Sequence, residues 1–380
     1  MKAVWLNPII GKIRFMDCRL ITQFFTNAVF IKRSTKKTLT VISFMALVVI
    51  PQFPAFASTP CWLTNLNADN KNIYGVSSKI SASNMPALHF AKANALNNWL
   101  LSEGLKPVEV IENLAPLEQY STQQHTIYFL DQYEENNRIY SLVSDIPSSD
   151  FISQRCEIKS CDIKQCSPLW LCENTSDNIA IISMSERTAM PNTQIKSIIK
   201  NAQDIAQTIN NTHVKGYIDT LHLNSKQVKV SNIQQRYSIT SLVKHQPKVT
   251  IGEMCNLKGT LLSQVSLNNK NISSAHNWMA QPLLGNTLGV VGHAKGQTST
   301  GRLSDLMQIA VRRALFEMAK AKNINVKNNV KLVINEQGYY SLMRKSHQYT
   351  ESIVSAYIAD MKMKINDKLQ PEIYIWLLEK

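Results

Sequence analysis

One short stretch centred on tryptophan occurs three times in the chain, and its spacing determines the predicted architecture. The three copies read Pro60-Cys61-Trp62-Leu63, Leu169-Trp170-Leu171-Cys172 and Asn277-Trp278-Met279. Successive tryptophans are 108 residues apart in both intervals. A long period that is kept twice is typical of a repeated structural unit. The sequence therefore predicts three copies of one small domain.

A helical pattern follows each tryptophan stretch. The second copy has the clearest pattern, because isoleucine and alanine recur at i, i+3, i+4 and i+7 from Ile195 to Ile209. This spacing places one apolar stripe along an α-helix. The third copy repeats the pattern from Leu303 to Met318, and in the first copy Gly104 follows the helix as a stop signal.

The runs around these helices are rich in β-forming residues. Pro107 to Ile111 is predicted to begin a strand after the first helix, and Val214 to Leu223 is the corresponding strand after the second. A hairpin then closes each copy. A single helical stripe covers only one sheet face, so the predicted fold class is α+β. Each domain is expected to be one helix on an antiparallel sheet, in a β-α-β-β-β-like order.

The repeat sets the predicted domain boundaries, which also define the names repeat one, repeat two and repeat three. In chain order we expect a leader at 1–57, repeat one at 58–149, a cysteine-rich linker at 150–168, repeat two at 169–268 and repeat three at 277–380.

The leader has the three-part plan of a secretory signal peptide over residues 32–57. Lys32 to Lys37 is basic, Leu39 to Ile50 is apolar, and Ala55-Phe56-Ala57 offers a cleavage site before Ser58. The apolar core is shorter than the roughly 20 residues that span a bilayer. We therefore expect an exported mature chain without a transmembrane span. A retained anchor is the alternative. The residues before Cys61 do not match the signal for lipid attachment.

The charge of the chain is strongly positive, at a formal +14. Residues 1–57 hold eight lysines and arginines and one acid, so +7 remains on the mature chain. Such a charge favours anionic surfaces such as a membrane or a cell wall. The basic residues are scattered along the sequence, however, which favours a solvated surface instead.

The mature chain has six cysteines, and an even number in an exported protein indicates disulfides. The candidates are Cys61, Cys156, Cys161, Cys166, Cys172 and Cys255. A zinc site is the alternative, since four thiolates can form a tetrahedral cage, but the close cysteine pairs of common zinc folds are missing. Cys166 with Cys172 is the favoured single bond, and the remaining pairing is left open.

No stretch of the sequence predicts a catalytic, cofactor-binding or metal-binding residue. The glycine-rich run 285–292 lacks the lysine of a phosphate-binding loop and is expected to be a strand. His293 is expected to be an ordinary histidine. Asp131, Glu253 and Asp360 recur at one position of the repeat, which favours a structural role over catalysis. The repeated tryptophans, namely Trp62, Trp170 and Trp278, are expected to be core anchors.

Three features of the chain resemble the lipoprotein-20 family of bacterial envelope proteins, which includes flagellar outer-membrane lipoproteins. They are Tyr74-Gly75-Val76-Ser77, the alanine-rich helix that follows, and Ile139-Tyr140-Ser141-Leu142-Val143. The resemblance implies an envelope location and a non-enzymatic role in assembly or in flagellar and surface structures. The missing lipid-attachment signal departs from the family pattern.

The sequence thus predicts an exported, non-enzymatic protein of the cell envelope that acts in binding, scaffolding or assembly. Expected partners are envelope or surface-assembly proteins, including further copies of the chain, with peripheral membrane contact and without nucleic acid or cofactor. The expected location is the periplasm, the outer membrane or the exterior. The alternative is a periplasmic hydrolase or ligand-binding enzyme whose site lies at a domain junction, where clefts form.

Overall fold

The computed structural model describes most of the chain from residue 59 onward. The described residues are 59–66, 71–80, 83–122, 124–147, 152, 154–156, 160–173, 180–225, 228–267, 277–296, 302–334, 340–368 and 370–380. The predicted leader, with its predicted signal peptide, lies outside the described residues. By its contacts, Ala57–Lys380 is one compact unit.

Three α-helices and sixteen strands occur among the described residues. The helices are α1 (Ala87–Ser102), α2 (Pro191–Thr208) and α3 (Leu303–Lys322). The strands, in chain order, are β1 (Thr59–Pro60), β2 (Ile73–Ser78), β3 (Gln119–Ser121), β4 (Thr126–Glu135), β5 (Arg138–Ser144), β6 (Arg155–Cys156), β7 (Ala180–Ser185), β8 (Thr212–Ser225), β9 (Lys229–Ser241), β10 (Thr250–Leu257), β11 (Thr260–Ser266), β12 (Gly289–Lys295), β13 (Asn325–Ile334), β14 (Tyr340–Val354), β15 (Ala356–Ile365) and β16 (Pro371–Glu379).

Each helix belongs to one antiparallel sheet with the same connectivity. The strand before the helix pairs with the last strand of the repeat, and that strand pairs with the one before it. The orders are β2-β5-β4-β3 in repeat one, β7-β11-β10 in repeat two and β12-β16-β15 in repeat three. The predicted α+β class with antiparallel sheets is therefore confirmed.

Small residues under each helix explain how closely helix and sheet approach. A Cβ on Gly75 of β2 would lie 2.1 Å from the backbone nitrogen of Ala95. In repeat three, a Cβ on Gly292 would lie 2.0 Å from the carbonyl oxygen of Ala310. Repeat two has Ser183 at this place, and its hydroxyl donates to the carbonyl of Ile198. Glycine in a strand commonly marks such close backbone approach.

The turns of the predicted hairpins have the required backbone chemistry. Asn136 and Asn137 both have positive φ between β4 and β5, and Lys258 and Gly259 do so between β10 and β11. Positive φ at two central residues is what a tight two-residue hairpin needs. Asparagine and glycine tolerate that conformation best.

The buried side chains of the three repeats form a shared core. One cluster includes Trp99, Ile199 and Phe316, one from each repeat. Polar contacts also cross the first junction. The side-chain amide of Asn98 donates to the Asn192 side chain at 2.9 Å, and that of Gln203 donates to the Leu101 carbonyl at 2.6 Å.

Two long hairpins leave this plan and form a sheet of their own. Hairpin β8–β9 follows α2, hairpin β13–β14 follows α3, and they combine in the order β13-β14-β8-β9. We call this sheet the hairpin sheet. Its central pairing runs from Ser341↔Ser225 to Val354↔Thr212. The predicted strand Val214 to Leu223 is confirmed within β8, but its expected place in the sheet that packs on α2 is wrong, because β8 pairs with β9 and with β14 of repeat three.

The strand predicted at Pro107 to Ile111 is also wrong, because these residues form an irregular segment beside α1. The Asn97 side chain satisfies both backbone groups of Val108, accepting from its nitrogen at 2.8 Å and donating to its oxygen at 3.1 Å. A helix side chain thus supplies the hydrogen bonds that a neighbouring strand would otherwise provide.

Candidate functional site

The repeated tryptophans and carboxylates lie together in two of the repeats. The Trp62 indole donates to Asp131 at 2.9 Å, and the Trp278 indole donates to Asp360 at 2.6 Å. Trp62 is fully buried. Both carboxylates lie at a bulge, Asp131 in the pairing of β4 with β5 and Asp360 in the pairing of β15 with β16. This geometry links the start of a repeat to its closing hairpin.

Repeat two departs from this pairing. The Trp170 ring is buried, but its indole nitrogen has no hydrogen-bond partner among the described residues. Glu253 lies at the corresponding bulge, where its backbone forms a β-bridge with Asn65 of repeat one. The backbone nitrogen of Met254 also donates to the carbonyl of Thr64, at 2.7 Å. The edge strand of repeat two thus contacts the first tryptophan turn.

We expect Asp360 to make stability depend on pH. Burial raises the pKa of its carboxyl above the ordinary 3.8, although hydrogen bonds from Met361 and Trp278 oppose the shift. The folded chain then holds the proton more tightly than the unfolded chain, so the free energy of unfolding falls as pH rises from 3.8 through the folded pKa. Asp360→Asn should remove this decline in urea titrations across pH. If the free energy of unfolding of Asp360→Asn differs from that of wild type by the same amount at every pH, this prediction is contradicted.

The six cysteines form three disulfides, which excludes these thiolates as zinc ligands. The pairs are Cys61–Cys156, Cys161–Cys255 and Cys166–Cys172. The prediction for Cys166 and Cys172 is confirmed. One long-range bond ties the linker to the start of repeat one, and the other ties it to β10 of repeat two. Repeat one and repeat two are thus each joined by a disulfide to the linker between them.

We expect reduction to open this segment before it unfolds the repeats. The turn at 162–167 is closed by two backbone hydrogen bonds between Asp162 and Ser167, and Lys164 is exposed on it. A short ring such as Cys166–Cys172 contributes about 2 kcal/mol in the chain-entropy account. Trypsin should cut after Lys164 in reduced protein and spare it in oxidised protein, leaving folded fragments. A Cys166→Ala/Cys172→Ala variant tests the short ring alone. If reduction instead unfolds the repeats completely, the disulfides are needed to hold the core together.

A cleft lies at the junction of repeats one and two. Its volume is about 260 Å³, and it is lined by side chains of both repeats, including Tyr74, Arg138, Gln194 and Met254. Burial raises the pKa of the Tyr74 hydroxyl, so this phenol stays protonated at neutral pH. The lining combines apolar surface with amide, guanidinium and hydroxyl groups, which suits a small polar ligand.

The hairpin sheet is the largest feature that sequence reasoning missed. Its strands carry seven lysines and arginines and two acids. The cations are Lys215, Lys229, Arg236, Lys327, Lys331, Arg344 and Lys345, and the acids are Asp219 and Glu351. Scattered along the sequence, these cations gather in space. The sequence feature that could have indicated the hairpin sheet is the long stretch between α2 or α3 and the closing hairpin of the same repeat.

The base of the hairpin sheet is packed, and its far end is exposed. Near the base, the Phe316 ring of α3 stacks on Tyr237 at 5.1 Å and covers Gly216, where a Cβ would lie 2.7 Å from it. All ten residues of β13 are exposed. The exposed aliphatic side chains of the far end are Val228, Val230, Val330, Leu332, Val333 and Ile334.

The remaining predicted residues have ordinary surroundings. The His293 ring stacks on Tyr374 at 4.3 Å, and burial lowers its pKa. In the glycine-rich run, residues 289–292 lie in β12 as predicted, whereas Gly285 and Asn286 form a turn closed by the bridge between Leu284 and Thr287. No group of three or more metal-ligating side chains gathers among the described residues. Within the same part of the chain, no helix combines the length and apolar character needed to cross a bilayer.

The chain matches no protein-family model, no curated protein and no solved structure. Its function is therefore inferred from the hairpin sheet, the junction cleft and the disulfides.

Proposed function

We propose that this chain is an exported, non-enzymatic binding or scaffolding protein of the cell envelope, and that the hairpin sheet is its binding element. The carrying observation is the exposed far end of that sheet, where six aliphatic side chains are each about half exposed or more. Of these, Val330, Leu332 and Ile334 lie at alternate positions of β13 and therefore on one face of that strand, and exposed apolar surface of this kind on a folded protein marks a site of interaction. Both hairpins extend beyond the shared core, so the sheet can contact a partner without disturbing that core.

The envelope assignment draws on the cysteines, the leader and the lipoprotein-20 resemblance. Three disulfides suit an oxidising compartment outside the cytosol. Within this proposal the chain consists of three tandem copies of one small domain, fused through a common core. Two of the copies carry hairpin insertions, and those insertions supply the binding element. A role in flagellar or other surface-structure assembly is the setting that the family resemblance favours.

The test replaces the chromosomal gene by variants in the source bacterium. Val330→Ser/Leu332→Ser alters two exposed side chains of β13 and should abolish assembly of the dependent surface structure, with flagellar filaments counted by electron microscopy. Ile111→Ser is the matched control, because Ile111 is 84% exposed and lies away from the hairpin sheet. Protein amounts in periplasmic and membrane fractions should be equal for both. Normal assembly with the double variant would contradict the proposal.

The second candidate function is a ligand-binding protein or hydrolase that uses the junction cleft. The observation that favours it is the set of polar side chains that converge there from two repeats, including Arg138 and Gln194. Arg138→Ala/Gln194→Ala would then remove function while Val330→Ser/Leu332→Ser would not. Thermal-shift screening of purified protein with small polar metabolites would identify the ligand.

A further inference from the structure

We propose that the partner of the hairpin sheet is a second copy of the chain, joined to it along the outer edge of β13. This inference rests on the proposed function, because it takes the hairpin sheet as the binding element, and it adds the identity of the partner. Two four-stranded hairpin sheets then combine into one sheet of eight strands, in which β13 of one copy pairs with β13 of the other. The open edge of β13, its pattern of side chains and the positions of its lysines support this pairing.

The outer edge of β13 is open. This strand stands at the end of the order β13-β14-β8-β9, and no hydrogen bond joins its backbone to a described element other than β14. All ten of its residues are exposed. Its pairing with β14 has no bulge, and the strand contains no proline. Proteins commonly block an edge with a proline, a bulge or a covering element, because a free edge readily adds another strand.

The side chains of β13 divide into an aliphatic face and a basic face. The aliphatic face holds four side chains that are 48–65% exposed, namely Val326, Val330, Leu332 and Ile334. All four occupy even-numbered positions of the strand, so they project to one side of the sheet. The two lysines, Lys327 and Lys331, occupy odd-numbered positions and project to the other side. Two copies can therefore bring their aliphatic side chains together on a face that is free of these lysines.

A two-fold axis restricts how two copies of β13 can align. In an antiparallel pair with this symmetry, one residue stands opposite its own copy. With Val330 on the axis, two valines meet at the centre, and Val326 of each copy meets Ile334 of the other. Leu332 then stands opposite Asn328. Opposed β-branched side chains stabilise a sheet, and this pairing extends from Val326 to Ile334, nearly as far as the pairing of β13 with β14.

The lysines of β13 favour this alignment over its neighbours. With Asn329 on the axis, Lys327 would stand opposite Lys331 of the second copy. With Lys331 on the axis, the two copies of that lysine would meet. Like charges directly opposite each other destabilise a sheet. With Val330 on the axis, no two lysines stand opposite each other, because Lys331 meets Asn329. Lys327 then meets Val333. The lysines thus oppose the misaligned pairings and permit the aligned one.

The other edge of the hairpin sheet, β9, is less suited to such pairing. Nine of its thirteen residues are polar or charged. Tyr237 and Ile239 pack against the core, so the exposed aliphatic side chains of β9 are Val230 and Ile233. These two lie on opposite faces of the strand, since three positions separate them. Pairing of β13 with β9 of another copy would also leave edges free and would produce open chains instead of a closed dimer.

The test is sedimentation velocity of the oxidised chain 58–380 over a range of protein concentrations. We expect a reversible equilibrium between monomer and dimer for wild type. Val330→Lys should weaken dimerisation at least ten-fold, because it removes the central aliphatic pair and sets two ammonium groups opposite each other. Adding the Val330→Glu protein should restore association as a mixed dimer, since opposite charges then meet on the axis. Val330 is 60% exposed, so circular dichroism should show both variants folded.

The matched control is Ile233→Lys, because Ile233 is 64% exposed and lies on β9, at the other edge of the same sheet. This variant should dimerise like wild type. A wild-type chain that stays monomeric at every concentration, or a Val330→Lys chain that dimerises like wild type, would overturn the inference. A mixture of Val330→Lys and Val330→Glu that fails to associate would exclude the alignment on Val330. Open-ended assemblies lost in both Val330→Lys and Ile233→Lys would show that β13 pairs with β9 instead.

The sedimentation and cellular experiments fail in different ways. If wild type is monomeric and Val330→Ser/Leu332→Ser still prevents surface assembly, the hairpin sheet remains the binding element and its partner is another protein. If wild type dimerises through β13 and the double variant still assembles surface structures, the dimer stands and the proposed assembly function falls.

Discussion

Ile199→Asp is expected to unfold the chain or leave it with a severely lowered melting temperature. Ile199 is fully buried in the middle of α2, within the core that the repeats share. The substitution removes an aliphatic side chain and places a carboxylate where water does not reach. Together these effects should lower the free energy of unfolding by about 5 kcal/mol or more, which is comparable with the whole stability of a domain.

The matched control for Ile199→Asp is Lys196→Asp, which introduces the same side chain on the exposed face of α2. Lys196 is preferable to Lys200, because the charge of Lys200 lowers the pKa of Asp204 against the effect of burial. Lys196→Asp should change the free energy of unfolding by no more than about 0.5 kcal/mol. Circular dichroism melts of the two variants give the comparison. Equal melting temperatures would contradict the buried position of Ile199.

Gly75→Ala should be the second most damaging change, although it adds one methyl group. That methyl would lie 2.1 Å from the Ala95 nitrogen and 2.5 Å from the Ala91 carbonyl oxygen. Both atoms are backbone, so no side-chain rotation relieves the clash, and α1 must move away from β2. Overpacking of a core costs 1–3 kcal/mol and sometimes more, so about 3 kcal/mol is expected here.

Gly252→Ala is the control for Gly75→Ala, since Gly252 also lies on a strand. Its nearest neighbour to an added Cβ is the Gln264 carbonyl oxygen at 3.4 Å, an ordinary contact. This substitution should be neutral or slightly stabilising, because alanine restricts the unfolded chain more than glycine does. Urea denaturation of both variants measures the difference. A Gly75→Ala protein as stable as Gly252→Ala would show that helix and sheet do not approach as closely as described.

Much of the repeated core could be predicted because its information is local. Ile195, Ile198, Ile199, Ala202, Ile205 and Ile209 follow a helical period and are all buried. The closing hairpins depend on short turns whose residue types are diagnostic. The short disulfide ring also depends on neighbours in sequence. Helix period, turn chemistry and close cysteines each act over fewer than about ten residues, so a single sequence records them.

The hairpin sheet could not be predicted because its defining pairing is not local. Thr212 pairs with Val354, and nothing near either residue specifies the other. The two long-range disulfides raise the same difficulty, with separations of 95 and 94 residues. The cations of the sheet looked like scattered surface charge because they come from two distant hairpins. The candidate binding surface was thus hidden by the same long-range pairing that creates it.

The pairing of β8 with β14 also orders the events of biogenesis. The chain is made from its N-terminus, so β8 and β9 are complete long before Tyr340–Val354 follows. Until then one edge of β8 has no partner, and an unpaired edge readily joins other strands. Contacts between distant residues form slowly, which prolongs this exposure. A chaperone that holds the first hairpin until β14 has been made would therefore protect the chain at its most vulnerable stage.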